Sequence, residues 1–469
     1  MLTHPQPHIA MFSTAGKGHL IPIIELARKL RRLHGFTITV AVADAGSQSL
    51  KNLFPTDPGI IPVFLPPVCA PHDFPENALI ETRVVITVLR FIPGLLQLLR
   101  ELHQSARLSA YVADLFGAFT LPAVKELGIP AYLFYSSGAK ALSCAFLYFP
   151  PELEPEPEPL DLSGRALDTG LDGEAQNFQV IVAMCRKFRL AEGILVNSFP
   201  DMEPDAFRFF AEPGGSGPVP PVYPVGPLVR AGSGNGGDDD RECLEWLDKQ
   251  DDGSVVYVAF GSGGTLSTVQ LKELARGLEM SGRRFILVAG KPNDRLRHAQ
   301  YFTGGGERDA PEPVEYFPAG FIARTAGNGF VLRRWAPQIE ILRHPAVGGF
   351  LTHCGWNSTL ESIVHGVPLI AWPLFGEQEM NADLLCRELK VALRFRVRED
   401  EDDDGAVDGE EIARVVRELM EGEEGAEVRR RTKDLREAAR GALGEDGSAI
   451  KALVTAAEKW KPMEKIGTM

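Results

Sequence analysis

The hydrophobic positions of the first forty-four residues change period twice. HIAMFSTAG is an apolar, β-rich run. HLIPIIELARKLRRLHG then puts Leu20, Ile23, Ile24, Ala27 and Leu30 on one helical face, and FTITVAVAD is β-rich again. Strand, helix and strand in that order make a βαβ unit and predict a parallel sheet. The pattern returns in ARLSAYVADLFG with FTLPAVKELG, in IPAYLFYSS and in GILVNSF. It restarts further on with SVVYVAFGS, the helical LKELARGLEMSG, then RFILVAG, GFVLRRW, VGGFLTH and PLIAWPL. The expected class is α/β, with two doubly wound domains facing each other across a cleft.

The interruptions set the boundaries. PPELEPEPEPLDLSGR (150–165) is too rich in Pro and Glu for a core and reads as a surface connection. AGSGNGGDDD has the composition of a linker. The expected division is therefore an N-terminal domain over 1–230, a linker over 231–241 and a C-terminal domain over 242–448. In the last segment, 449–469, Ile450, Leu453, Val454, Ala457 and Trp460 form one stripe. That helix is expected to pack back on the N-terminal domain. EDEDDDG (399–405) reads as an exposed loop, since it lacks the ligand spacing of a calcium site.

A chain of 469 residues suits two large domains, and 44% hydrophobic with 24% charged residues is a globular composition. The net charge of -14 argues against a nucleic acid or an anionic membrane as partner. Six scattered cysteines without CxxC read as free thiols. Neither a signal peptide nor an uninterrupted apolar run of ~18 residues is recognisable, so the expected location is the cytoplasm.

Two turns carry candidate chemistry. TAGKGHL begins a GxGxxG pattern but has Ile21 at the third glycine position, and Gly18 stands where a P-loop needs Ser or Thr. What remains is His19, at a helix N-terminus that disfavours its charged form. Asp114 ends another strand, where the two can meet as a hydrogen-bonded base pair. The alternatives are a helix cap for His19 and a plain turn for Asp114. The second turn, HCGWNSTLE, lies where a strand enters a helix, a place suited to phosphate. Gly355 admits close backbone approach, while His353, Asn357 and Ser358 offer donors. Ser358 with Glu361 also fits a capping box, which needs no ligand. Nearby, Trp335 offers a stacking face, and Glu377 and Gln378 can read sugar hydroxyls. Together they describe a nucleotide-sugar site.

With WAPQ, HCGWNS and GVPLIAWP in register over the 44 residues from Trp335 to Gln378, the chain resembles the plant UDP-dependent glycosyltransferases of inverting type. VAFGSGGTLS, EGILVNSF and GHLIPIIELA extend the resemblance over nearly the whole chain. It is most similar to the subgroup acting on simple phenols and phenylpropanoids.

The resemblance implies the GT-B fold, two Rossmann-like domains across a cleft. It further implies that Trp335 stacks on uracil, that Ala336 and Gln338 touch base and ribose, and that Glu361 takes the ribose hydroxyls. His353, Gly355, Asn357 and Ser358 would hold the diphosphate, with Ser262 opposite. Trp356, Glu377 and Gln378 would read glucose, the donor that a closing Gln implies. Glu81, Leu115, Phe116 and Phe146 are implied as acceptor lining. The expected reaction is inverting glucosyl transfer from UDP-glucose to a phenolic hydroxyl, with His19 as base and Asp114 behind it. No metal or other cofactor is expected, and the expected state is a monomer. The competing readings are a nucleotide-sugar-binding protein and an epimerase or hydrolase of similar architecture.

Overall fold

The computed structural model describes residues 7–14, 16–44, 48–66, 74, 78–106, 108–149, 173–212, 218–232, 238–295, 315–332, 336–396 and 406–461. The acidic stretches 150–165 and 399–405 lie outside the described residues. The chain forms two compact units, residues 1–228 with 441–469, and residues 229–440.

The first unit holds a seven-stranded sheet of β1 (His8–Thr14), β2 (Thr37–Ala43), β3 (Ile60–Phe64), β4 (Leu108–Asp114), β5 (Ala131–Tyr135), β6 (Ile194–Val196) and β7 (Val222–Pro224). All its pairings are parallel and the order is β3-β2-β1-β4-β5-β6-β7. The second unit holds β8 (Val255–Ala259), β9 (Arg284–Val288), β10 (Gly329–Leu332), β11 (Val347–Thr352), β12 (Leu369–Ala371) and β13 (Ala392–Arg394). Its order, β10-β9-β8-β11-β12-β13, is likewise all parallel. In each sheet the order reverses between the first and fourth strands. That switch point is where open α/β sheets leave room for a ligand beyond the strand ends.

Three strands, β3, β7 and β13, were not foreseen from the sequence, and all three lie on sheet edges. Two of them contain proline, Pro62 and Pro224, whose missing N–H is tolerated only where one side of the strand is unpaired. β3 and β7 are also partly exposed, which weakens their hydrophobic signal, whereas β13 is short but mostly buried.

Helix Ile80–Ala106 is long and apolar enough to cross a bilayer by length and composition, although it holds no uninterrupted apolar run of ~18 residues. Arg83 and Arg90 interrupt the apolar run and conceal its length. In the fold, Val84, Val85, Val88, Phe91, Leu95 and Leu99 are buried along one side.

Helix Ser448–Glu458 belongs to the first unit, together with the residues from 441 onward. Ala452, Leu453, Ala456, Ala457 and Trp460 join the same core cluster as Ile9, Leu20, Ile38 and Phe134. The buried stripe runs through alanines rather than Ile450 and Val454, which lie at its margin. Small residues let the helix sit close, and Trp460 then packs against Phe36 and edge-on to Tyr132. The unit boundary thus falls at 228/229 rather than in the 231–241 linker, and helix Asp238–Leu247 starts inside that linker.

Candidate active site

In the first unit β1 runs into helix Lys17–His34, and His19 is its third residue. The cap position is Gly16, so His19 is not the cap; its backbone N–H donates to the Gly16 carbonyl at 2.9 Å. Asp114 is the last residue of β4, the neighbour of β1, and is fully buried. His19 Nδ1 lies 3.7 Å from Asp114 Oδ2. That is ion-pair distance but too long for the expected hydrogen bond. The reason is that Oδ2 already accepts two donors, the Thr14 N–H at 2.7 Å and the Thr14 hydroxyl at 2.6 Å. Oδ1 accepts the Gly117 N–H at 2.8 Å.

Gly117 has no room for a side chain, since a Cβ would fall 2.8 Å from that of Ala113 and 3.3 Å from Asp114 Oδ1. Behind it, the Thr120 hydroxyl donates to the Gly117 carbonyl at 2.7 Å and must therefore receive the Tyr111 O–H, also 2.7 Å away. Asp114 is consequently held by backbone and hydroxyl donors in one orientation. His19 Nδ1 is buried and makes no hydrogen bond among the described residues. Its side chain keeps 14% exposure.

Phe116 packs on the His19 ring, with centroids 5.2 Å apart, and Leu115 precedes it beside Asp114. Of the four residues expected to line the acceptor, Phe116 thus adjoins His19, and Leu115 neighbours Asp114 along the chain. Phe146 is 1% exposed, edge-on to Phe210 and under the Arg189 guanidinium at 4.6 Å, so its ring is occupied by packing. Glu81 lies in the first turn of helix Ile80–Ala106.

In the second unit β11 ends at Thr352 and helix Trp356–His365 begins four residues later. Its cap is Gly355, which supplies no side chain to the first-turn N–H groups. The capping box therefore does not form. Ser358 lies inside the first turn, and its hydroxyl and the Glu361 carboxylate both accept from the Gln338 amide, at 3.1 and 2.5 Å. The Gln338 carbonyl oxygen in turn accepts the Tyr257 O–H at 3.1 Å. Tyr257, buried in β8, was not singled out in the sequence, and it fixes which way the amide points. Burial raises the Glu361 carboxyl to about 7, against the lowering effects of Gln338 and Arg230.

His353 is pushed down to about 4 by burial, so its ring is neutral at ordinary pH. A Cβ at Gly261 would fall 2.5 Å from its Nε2, and one at Gly355 2.3 Å. Gly355 was expected to bring the backbone close to a ligand; it makes way for the His353 ring, as does Gly261 at φ 73. Ser262 follows in the same turn and Ala336 is buried ahead of Gln338. Trp335 lies outside the described residues.

Trp356 is 3% exposed, so most of its indole is packed inside, while Asn357 on the next position is half-buried. Glu377 is exposed at the start of helix Gln378–Asp383. Gln378 is buried, and its Oε1 accepts the N–H groups of Leu374 and Phe375 at 2.8 and 3.1 Å. Only its NH2 remains for a sugar, as a donor. Cys144, Cys185, Cys243, Cys354 and Cys386 are free, as expected, and Cys69 lies outside the described residues.

The family model described as UDP-glucoronosyl and UDP-glucosyl transferase matches residues 241–407. The chain is 44% identical to UDP-glycosyltransferase 72B1 of Arabidopsis thaliana, over 98% of this chain and 97% of that one. It is 43% identical to hydroquinone glucosyltransferase of Rauvolfia serpentina, over 97% and 98%. Among solved structures it resembles a UDP-glucosyltransferase from Polygonum tinctorium capable of glucosylating indoxyl, in complex with 3,4-dichloroaniline. There the TM-score is 0.83 and the identity 40%, covering 98% of this chain and 100% of that one.

Proposed function

The chain belongs to the UDP-glucoronosyl and UDP-glucosyl transferase family and is a UDP-glycosyltransferase of GT-B fold, and from that premise we propose that it moves glucose from UDP-glucose to a hydroxyl of a small phenol. The observation that carries this is His19 beside Asp114, with Phe116 against the ring. A base flanked by an aromatic face suits a flat acceptor. The relatives named for hydroquinone and indoxyl support the same class.

In this reading the second unit holds the donor. Trp335 stacks on uracil beside Ala336, and Glu361, oriented through Gln338, accepts from the ribose hydroxyls. The neutral His353 ring, Asn357, Ser358 and the start of helix Trp356–His365 take the diphosphate, with Ser262 opposite. Glu377 accepts from glucose hydroxyls and the Gln378 NH2 donates to one, with Trp356 beside them. The helix end and its donors offset the charge growing on the departing UDP, so no metal is required.

His19 Nε2 removes the phenolic proton as the oxygen attacks the anomeric carbon and the bond to UDP breaks. Asp114 stabilises the imidazolium that results. A phenol with a pKa of ~10 suits an imidazole base better than an aliphatic alcohol does. One displacement converts the α-linked donor to a β-glucoside.

The test is incubation with UDP-glucose and a panel of simple phenols, flavonoids and coumarins, following glucoside mass and UDP release. No product across the panel rejects the acceptor class, and an α-linked product rejects the single displacement. UDP-galactose run in parallel with Gln378→His asks whether position 378 selects the sugar; an unchanged preference rejects that assignment.

A further inference from the structure

Cys354 stands between His353 and the start of helix Trp356–His365, and its backbone lies at φ 61 in the left-handed region. A side chain is strained there because Cβ crowds the neighbouring carbonyl oxygen, which is why glycine usually takes such positions. Here the residue is a fully buried cysteine. Its Sγ lies 3.7 Å from the Thr352 carbonyl, a weak contact that cannot by itself hold a strained peptide. The stronger tie comes from elsewhere in the chain. Asn381, 3% exposed in helix Gln378–Asp383, donates from Nδ2 to the Cys354 carbonyl at 3.0 Å.

The first residue of the same short helix, Gln378, accepts from the N–H groups of Leu374 and Phe375. One six-residue helix therefore holds both the loop at Leu374 and Phe375 and the turn at Cys354. The turn at Cys354 decides where His353 and Gly355 point, since they are its immediate neighbours. Gly355 is also the cap of helix Trp356–His365, whose first turn is assigned to the diphosphate in the proposed donor site.

We propose that Asn381 is a positioning residue of the donor site: by holding the Cys354 carbonyl it fixes the left-handed turn that aims His353 and the start of helix Trp356–His365 at the diphosphate. Asn381 itself touches no substrate. The inference rests on reading that helix end as the diphosphate site. A merely structural Asn381, satisfying a buried carbonyl, would affect stability without distinguishing ligands that carry phosphates from those that do not.

The test uses the full chain and two probes, UDP and uridine, titrated by calorimetry. Uridine keeps the base and ribose and lacks the diphosphate. Asn381→Ala is expected to weaken UDP about tenfold while changing uridine by less than about twofold. In a Cys354→Gly background the same substitution is expected to weaken UDP by less than about twofold, because glycine adopts the left-handed conformation unaided. Should Asn381→Ala fail to fold, Asn381→Asp keeps the volume and turns an acceptor toward the carbonyl, with at least the same selective loss expected. Equal losses for UDP and uridine, no loss for either, or the same loss in both backgrounds overturns the proposal. If the unaltered protein binds UDP no better than uridine, it is the diphosphate reading that fails instead.

Discussion

Each sheet carries a histidine beside its switch point, and the two are surrounded by opposite chemistry. His19 follows β1 and has a carboxylate 3.7 Å from Nδ1, an aromatic ring on its face and part of its edge exposed. His353 follows β11, has glycines at 261 and 355 close to Nε2, and has the Thr352 hydroxyl 3.3 Å from Nδ1. Burial, with no carboxylate partner among the described residues, drives His353 down to about 4 and keeps it neutral. In the proposed reaction the same side chain would serve two tasks. His19, as the base, would gain a proton and need a counter-charge. His353 would only donate, and would be better without one.

The largest effect that would break this comparison is on turnover. His19→Ala is expected to lower kcat by about 10²- to 10⁴-fold while UDP affinity by calorimetry stays within about twofold. Full turnover in that variant would remove His19 as the base. His353→Ala is expected to do the reverse in kind, weakening UDP about 10- to 100-fold by loss of a hydrogen bond to a charged group. Because the ring is neutral above about pH 4, its contribution should not change between pH 6 and 8.

A third, smaller effect concerns Glu361. Its carboxyl is raised to about 7, and in the proposed donor site the ribose hydroxyls would donate to the ionised form. UDP should therefore bind with loss of a proton, and its affinity should fall as pH drops through about 7, by no more than about tenfold per unit. Glu361→Gln should flatten that dependence; an unchanged slope would assign the titration to another group. The smallest is at Thr14, whose hydroxyl is one of two donors on Asp114 Oδ2. Thr14→Val is expected to lower kcat about three- to tenfold with KM for UDP-glucose unchanged, and Thr14→Ser to restore most of it. If valine and serine behaved alike, the hydroxyl would have no part in holding the carboxylate.

Some of these features are legible in local sequence. Strand and helix periods revealed the inner strands, because each is buried on both faces and its apolar run is continuous. The edge strands β3 and β7 escaped, since exposure and proline dilute the same signal, and β13 escaped as a strand of three residues. HCGWNSTLE shows a second limit. Ser358 and Glu361 match a capping pattern, yet both side chains answer to Gln338, twenty or more residues earlier. The local match was real in spacing and wrong in partner.

The sequence by itself determined the alternation of strands and helices, the presence of His19 and Asp114 at element ends, and the 44-residue spacing from Trp335 to Gln378. These are properties of neighbours along the chain, where period and composition act directly. Only the tertiary structure decided that Thr14 holds Asp114 across a hundred residues, that Tyr257 orients Gln338, and that Asn381 holds Cys354. It also decided that one histidine lies beside a carboxylate and the other between glycines. A side chain's proton and its hydrogen-bond partners depend on which atoms packing brings within about 3 Å, and parallel sheets bring together atoms far apart in sequence.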